Sequence, residues 1–220
     1  DEELSVTSKS YVCTLLILYV MAKTIIGEFF NDASESEKVE YLIKELEKLL
    51  TTETEIARIW DELLLNFGYD LHFLEILARG ASLTTAHQAA LNFKEITKNY
   101  SEATSISSFR HGGIECLNDD THLLLLTSDS KNLKLNKKFI HNILTNWKCR
   151  KLVHLTNQNL DDEIVNKNAK MIVYHHKITD PFLAPIMEIV ILQLLFYRIA
   201  EKQGTEPGIF QFSRKVTDDI

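Results

Sequence analysis

The sequence predicts an α/β protein: a doubly wound parallel sheet flanked by helices, with a helical N-terminal extension. Three observations carry that expectation. Four short apolar runs ("LHFLEILARG", "THLLLLTSD", "RKLVHLTN" and "AKMIVYHH") have the length and composition of buried strands. Stretches of helical length alternate with such runs from Leu71 to Gly204, as in βαβ units. Glycine and proline are scarce, seven and three in 220 residues, which speaks against a turn-rich β-sandwich and against long flexible linkers.

Taken in order, the elements begin with helices. "SVTSKSYVCTLLILYVMAKTIIGEFF" is led in by Ser and Thr, whose side-chain oxygens can accept from the free N–H groups of a first helical turn. Its most apolar part, Tyr11 to Ala22, has 12 residues and stops at Lys23. That is too short to span a bilayer and follows acidic residues rather than a basic leader, so a core helix is expected. "SESEKVEYLIKELEKLLTT" sets Val39, Leu42, Ile43, Leu46, Leu49 and Leu50 on one side. "TEIARIWDELLLNFG" is a third helix, ended by Gly68. Beyond the first strand, "TTAHQAALNFKEITKNY" is helical, as are "NKKFIHNILTNWKC" and the long apolar "PFLAPIMEIVILQLLFYRIAEKQG" closed by Gly204. "TEPGIFQFSRKVTDDI" reads as an irregular tail. Open sheets of this class take ligands at the carboxyl ends of their strands, near the point where strand order reverses.

Composition narrows the partners. At 45% hydrophobic and 25% charged, the chain has the makeup of one soluble globular domain. A formal net charge of -7 argues against duplex nucleic acid, which requires a basic face to replace counterions. A small anion remains compatible, because helix N-termini and hydroxyls suffice for one phosphate. Cys13, Cys116 and Cys149 have neither a disulfide framework's even count nor a zinc site's short spacing. All three are expected as buried small hydrophobes in a reducing, cytoplasmic compartment, with no metal and no cofactor.

On a helical wheel Gln88, Asn92, Glu95 and Asn99 form one polar stripe beside an apolar stripe of Ala86, Ala89, Ala90 and Phe93, with Lys94 and Lys98 on the opposite flank. The stripe lines a cleft or is simply solvated, and by pattern alone the solvated edge is the commoner outcome. Likewise "RHGG", with His111, reads by itself as an ordinary polar turn.

Taken whole, "LARGASLTTAHQAALNFKEITKNYSEATSISSFRHGGIE" resembles the second sugar isomerase (SIS) domain of glucosamine-6-phosphate synthases and their relatives. The motifs are Ala78-Arg79-Gly80, Lys94-Glu95-Ile96, Glu102-Ala103 and Arg110-His111-Gly112, in the family's order and spacing. "EELSVTSKSYVCTLL" is similar to the segment that closes the family's first SIS domain, "LAPIMEIVILQLLFYRIAEKQGTEPG" to its last helix, and "KVT" to its lysine-containing tail. The resemblance implies a flavodoxin-like SIS fold. It divides the chain into a helical segment 1–67 that ends a first SIS domain and links it to the second, a second SIS domain 68–204, and an active-site tail 205–220.

It also implies chemistry. Family isomerases open a sugar phosphate and move a proton between C1 and C2 through an enediol-like intermediate. Glu95 matches the proton-shuttling carboxylate. His111 matches the ring-opening histidine, which in this family comes from the other subunit of a homodimer; imidazole suits that step because it titrates near neutrality. Ser5 and Thr7 match positions around the sugar, with Arg79 and Asn92 counted among the substrate-binding residues. Lys215, or Arg214 in its place, matches the tail lysine that forms a Schiff base in the synthases. The departures are Asn92 where synthases have lysine, Gln88 where they have glutamate, and Gly113 where proline follows His-Gly. They suit a paralogue: a phosphosugar isomerase, an amino-sugar-phosphate deaminase or a deglycase. A non-catalytic phosphosugar-binding module and a ligand-free dimerisation domain are the alternatives. The expected partner is a sugar phosphate, with no nucleic acid and no membrane.

Overall fold

The computed structural model describes residues 6–51, 57, 60–62, 64–65, 67–147, 149, 151–159 and 171–212. Five parallel strands form one sheet in the order β2-β1-β3-β4-β5: β1 Phe73–Ala78, β2 Tyr100–Ser105, β3 His122–Leu126, β4 Lys151–Thr156 and β5 Met171–His175. The helices are α1 Lys9–Ile25, α2 Ala33–Thr51, α3 Ser82–Thr97, α4 Ile106–Phe109, α5 Leu133–Thr145 and α6 Ala184–Gln203. From β1 the chain winds outward through α3 to β2, then returns across the sheet to β3. Strand order therefore reverses between β1 and β3.

Each sheet face has its own core. Leu74, Ile76, Ala78, Leu124, Leu126, Val153 and Leu155 pack against α3 and α6 through Ala86, Ala89, Phe93, Leu192 and Phe196. The Phe93 and Phe196 rings meet edge to face, 5.1 Å between centroids, which holds the two helices together. Leu77, Leu123, Leu125 and Leu152 form the second core with Ile106 and Phe109 of α4 and with Phe139, Ile140 and Ile143 of α5. Gly204 ends α6 in the left-handed conformation, φ +71°, where any side chain would cost energy.

Three expectations are corrected. "YSEATS" is a strand, β2, which the sequence reading passed over. It is an edge strand whose first residue is exposed, so it lacks the continuous apolar run of its neighbours. The apolar run in α1 is not a core helix: Tyr19 is its one buried residue among those described, while Ile17, Leu18, Met21 and Ile25 are exposed. Among the cysteines only Cys149 is buried; Cys13 and Cys116 are exposed. On α2, Leu42 and Leu49 are buried, but Ile43 and Leu50 are exposed. The third helix is described only in part; Trp60, Leu64 and Phe67 are buried, and Trp60 stacks on Tyr174 of β5 at 5.3 Å. No helix among the described residues is long and apolar enough to cross a membrane.

Candidate functional site

Helix α3 leaves the carboxyl end of β1 and runs back to the amino edge of the sheet, where Tyr100 begins β2 opposite Phe73. Glu95 sits one turn from its end. Its carboxyl is half-buried, and that desolvation raises its pKa above the ordinary carboxylate value; a hydrogen bond from Asn92 and the charges of Lys98 and Lys94 oppose the shift.

Two amides organise this carboxylate. Asn92 is fully buried and donates through Nδ2 to Glu95 Oε2 at 3.3 Å. Its own Oδ1 accepts from Gln193 Nε2 of α6, also at 3.3 Å. A relay thus runs from α6 through Asn92 to Glu95, across the helix pair that Phe93 and Phe196 lock.

The tail completes the surroundings. Lys98 caps α3 in the left-handed conformation, φ +60°. Its Nζ donates to the carbonyls of Glu95 and Ile209 and lies 5.6 Å from the Phe210 ring centroid. A cavity of about 340 Å³ lies between Lys94, Glu95 and Lys98 on one side and Phe210, Gln211 and Phe212 on the other. A half-buried carboxylate whose pKa is raised, with two lysines and the tail around its cavity, is equipped to take up and return a proton beside an anionic molecule.

The other expected residues fall elsewhere. Asn92 and Glu95 are brought together. His111 is not near them: it follows α4, beyond the carboxyl end of β2, with an exposed side chain and an N–H bonded to Ser108 O at 2.9 Å. About 17 Å of strand, at 3.3 Å per residue, separates the two sheet edges. Arg79 is also at the carboxyl edge, donating through Nε to Asn136 Oδ1 at 3.2 Å and through Nη1 to Ser107 Oγ at 3.4 Å. Thr7 is exposed just before α1. Ser5, Arg214 and Lys215 lie outside the described residues. Glu95 therefore stands at the amino edge of the sheet, not at the carboxyl edge where open α/β sheets commonly take ligands.

One polar cluster escaped the sequence reading. Glu188, inside the apolar run of α6, is fully buried and accepts from Ser128 Oγ at 2.5 Å and Ser82 Oγ at 2.8 Å. Ser128 Oγ also lies 2.8 Å from His176 Nε2. Burial pushes the Glu188 carboxyl pKa up and His176 down to about 4, so the His176 ring is neutral near pH 7. A lone Glu within "APIMEIVILQLL" was the available signal. The cluster joins the first residue of α3, the chain just after β3 and α6, and it is buried.

Comparison with known proteins fits this architecture. No family model matches the sequence. The chain is 26% identical over 201 residues to the glutamine–fructose-6-phosphate aminotransferase (isomerizing) of Buchnera aphidicola, covering 90% of this chain and 31% of that protein. Among solved structures, the C-terminal domain of glucosamine-fructose-6-phosphate aminotransferase from Francisella tularensis superposes with a TM-score of 0.75 at 20% identity, covering 94% of this chain and 58% of that one. Glucosamine-6-phosphate deaminase from Thermotoga maritima superposes with a TM-score of 0.62 at 19% identity, covering 99% and 59%. The chain is thus similar in sequence to these aminotransferases, has the fold of their C-terminal SIS domain, and spans about a third of the length of the aminotransferases it matches.

Proposed function

We propose that this chain carries the proton-transfer part of a phosphosugar isomerase site, moving a proton between C1 and C2 of a hexose or amino-hexose 6-phosphate. The observation that carries this reading is Glu95: half-buried, raised in pKa, held by the Gln193–Asn92 relay and facing a cavity under the tail. A carboxylate so placed takes the proton from one carbon of the open-chain sugar and returns it to the next. Lys94 and Lys98 supply positive charge for the anionic intermediate.

In this reading the protein is a cytoplasmic homodimer, and His111, exposed at the far edge, opens the sugar ring in the partner's site. Ser5 and Thr7 hold the sugar, with Lys215 or Arg214 as the tail's contribution, while Asn92, fully buried, acts through Glu95 rather than touching the sugar. Arg79, engaged by Asn136 and Ser107, fastens the carboxyl edge. Residues 1–67, 68–204 and 205–220 act as linker, SIS domain and tail, alongside further residues that complete the sugar-phosphate site. One observation favours a deaminase or deglycase as the second reading: a neutral amide, Asn92, stands beside Glu95, so the site has fewer charged donors near the reacting carbons.

The test replaces Glu95 with Gln in the full-length protein and follows proton–deuterium exchange at C2 of fructose 6-phosphate. Exchange falls about 10²- to 10⁴-fold if Glu95 is the shuttle; exchange at the wild-type rate removes Glu95 from the mechanism. Release of ammonia from glucosamine 6-phosphate, lost in the same variant, selects the deaminase reading.

A further inference from the structure

The register of β1 against β2 sets Glu75 directly opposite Glu102. Like charges facing each other across a sheet are destabilising, and among the described residues no cation offsets them at Glu75. The neighbours of its carboxyl are the Thr104 hydroxyl and Glu102. Glu75 is only 7% exposed, and its Oε1 has no hydrogen-bond partner. Both carboxylates line a cavity of about 720 Å³ on the sheet face opposite α3 and Glu95, with Phe73, Phe109 and Leu117 as apolar walls.

We propose that this cavity is a binding site for a small organic cation, a protonated amine on an apolar body, with Glu75 and Glu102 as its paired anionic ligands. An ammonium has three donors and no acceptor. Here it meets the vacant Oε1 of Glu75, the Glu102 carboxylate and the Thr104 hydroxyl. The apolar body lies against Phe73, Phe109 and Leu117. Of the other titratable groups lining the cavity, Lys151 is 3.7 Å from Asp120, and His72 is 3.9 Å from Asp70. They leave the Glu pair as the charge in need of a counter-ion. A metal ion fits less well, because no group of three or more His, Cys, Asp or Glu among the described residues is arranged to hold one. The site does not depend on the reaction proposed for Glu95.

Burial, with the charge of Glu102 adding to it, pushes the Glu75 carboxyl up to about 7. Binding of a cation therefore strengthens above that pH, where the carboxylate is ionised, and weakens below it. Calorimetric titration of the 220-residue chain with benzylamine tests this, with benzyl alcohol as the neutral control. Benzylamine binds at about pH 8, binds at least about tenfold more weakly at about pH 5.5, and loses about tenfold or more in Glu75→Gln; benzyl alcohol does not bind. No benzylamine binding at millimolar concentration, equal binding of the alcohol, or unchanged affinity in Glu75→Gln overturns the proposal. Should Glu75→Gln fail to fold, a ¹³C titration of the Glu75 carboxyl in the wild-type chain decides. Saturating benzylamine lowers its midpoint, and an unmoved midpoint overturns the proposal.

Discussion

Asn92 stands three residues before Glu95 and has no water to bond. Its amide must therefore find partners inside the protein, and it finds Gln193 and Glu95. The Nδ2 hydrogen bond favours the charged form of Glu95, while burial favours the neutral form and wins. Asn92→Leu removes the opposing contribution, so the Glu95 midpoint rises further. Gln193→Leu leaves the Asn92 amide free to turn and moves the midpoint less, in the same direction. A ¹³C-detected titration of the Glu95 carboxyl reads both changes, expected at about half a unit to one unit for Asn92→Leu. An unchanged midpoint in both variants would mean that the relay does not tune the carboxylate. The sequence pattern placed Asn92 and Glu95 on one stripe, since three-residue spacing along a helix is a local rule. It could not show Gln193, whose contact depends on how α3 crosses α6.

At the scale of elements, legibility follows burial. Strands β1, β3 and β4 are covered on both faces, so their apolar runs announced them. Strand β2, at the sheet edge, has polar residues at exposed positions and no such run. Helix α1 misled in the opposite sense, because its apolar stretch is wider than the surface it covers within the chain. Glu188 in α6 was hidden by its apolar neighbours, yet it pins α6 to the start of α3 through Ser82 and to the chain after β3 through Ser128. Its pKa in the folded state is raised, so the folded state holds the proton more tightly than the unfolded state does. Its stabilisation is fully present below the unfolded carboxyl pKa and is lost as pH rises toward the folded value. Wild-type stability relative to Glu188→Gln should therefore fall by up to about 1.4 kcal/mol per pH unit above about pH 4.5. Urea denaturation of both proteins at several pH values measures it; parallel curves would show that Glu188 is already ionised when folded. His154 and His176, held to about 3 and about 4 by burial, act oppositely. They cost stability as pH falls below about 6.5; that loss lies largely on the acid side of the window in which Glu188 acts, and His176, which shares Ser128 with Glu188, is substituted in a parallel control.

At the scale of the whole molecule, the winding of the chain separates the two groups that the proposed reaction needs. Helix α3 carries Glu95 back to the amino edge, and β2 then carries the chain forward again before His111 is reached. A strand between them is a rigid spacer, so one chain cannot close that gap by turning side chains. A symmetric dimer can, since each subunit's exposed His111 is free to enter the other's site. That arrangement makes a quantitative prediction. If the proposed dimer holds, full-length Glu95→Gln and His111→Ala proteins should each be inactive as homodimers. Co-expressed in equal amounts, half of the dimers are mixed, and each mixed dimer holds one site with Glu95 and the partner's histidine both intact. Isomerase activity should return to about a quarter of wild type. If Glu95 and His111 of the same chain worked together, every site in the mixture would lack one of them, and no activity would return.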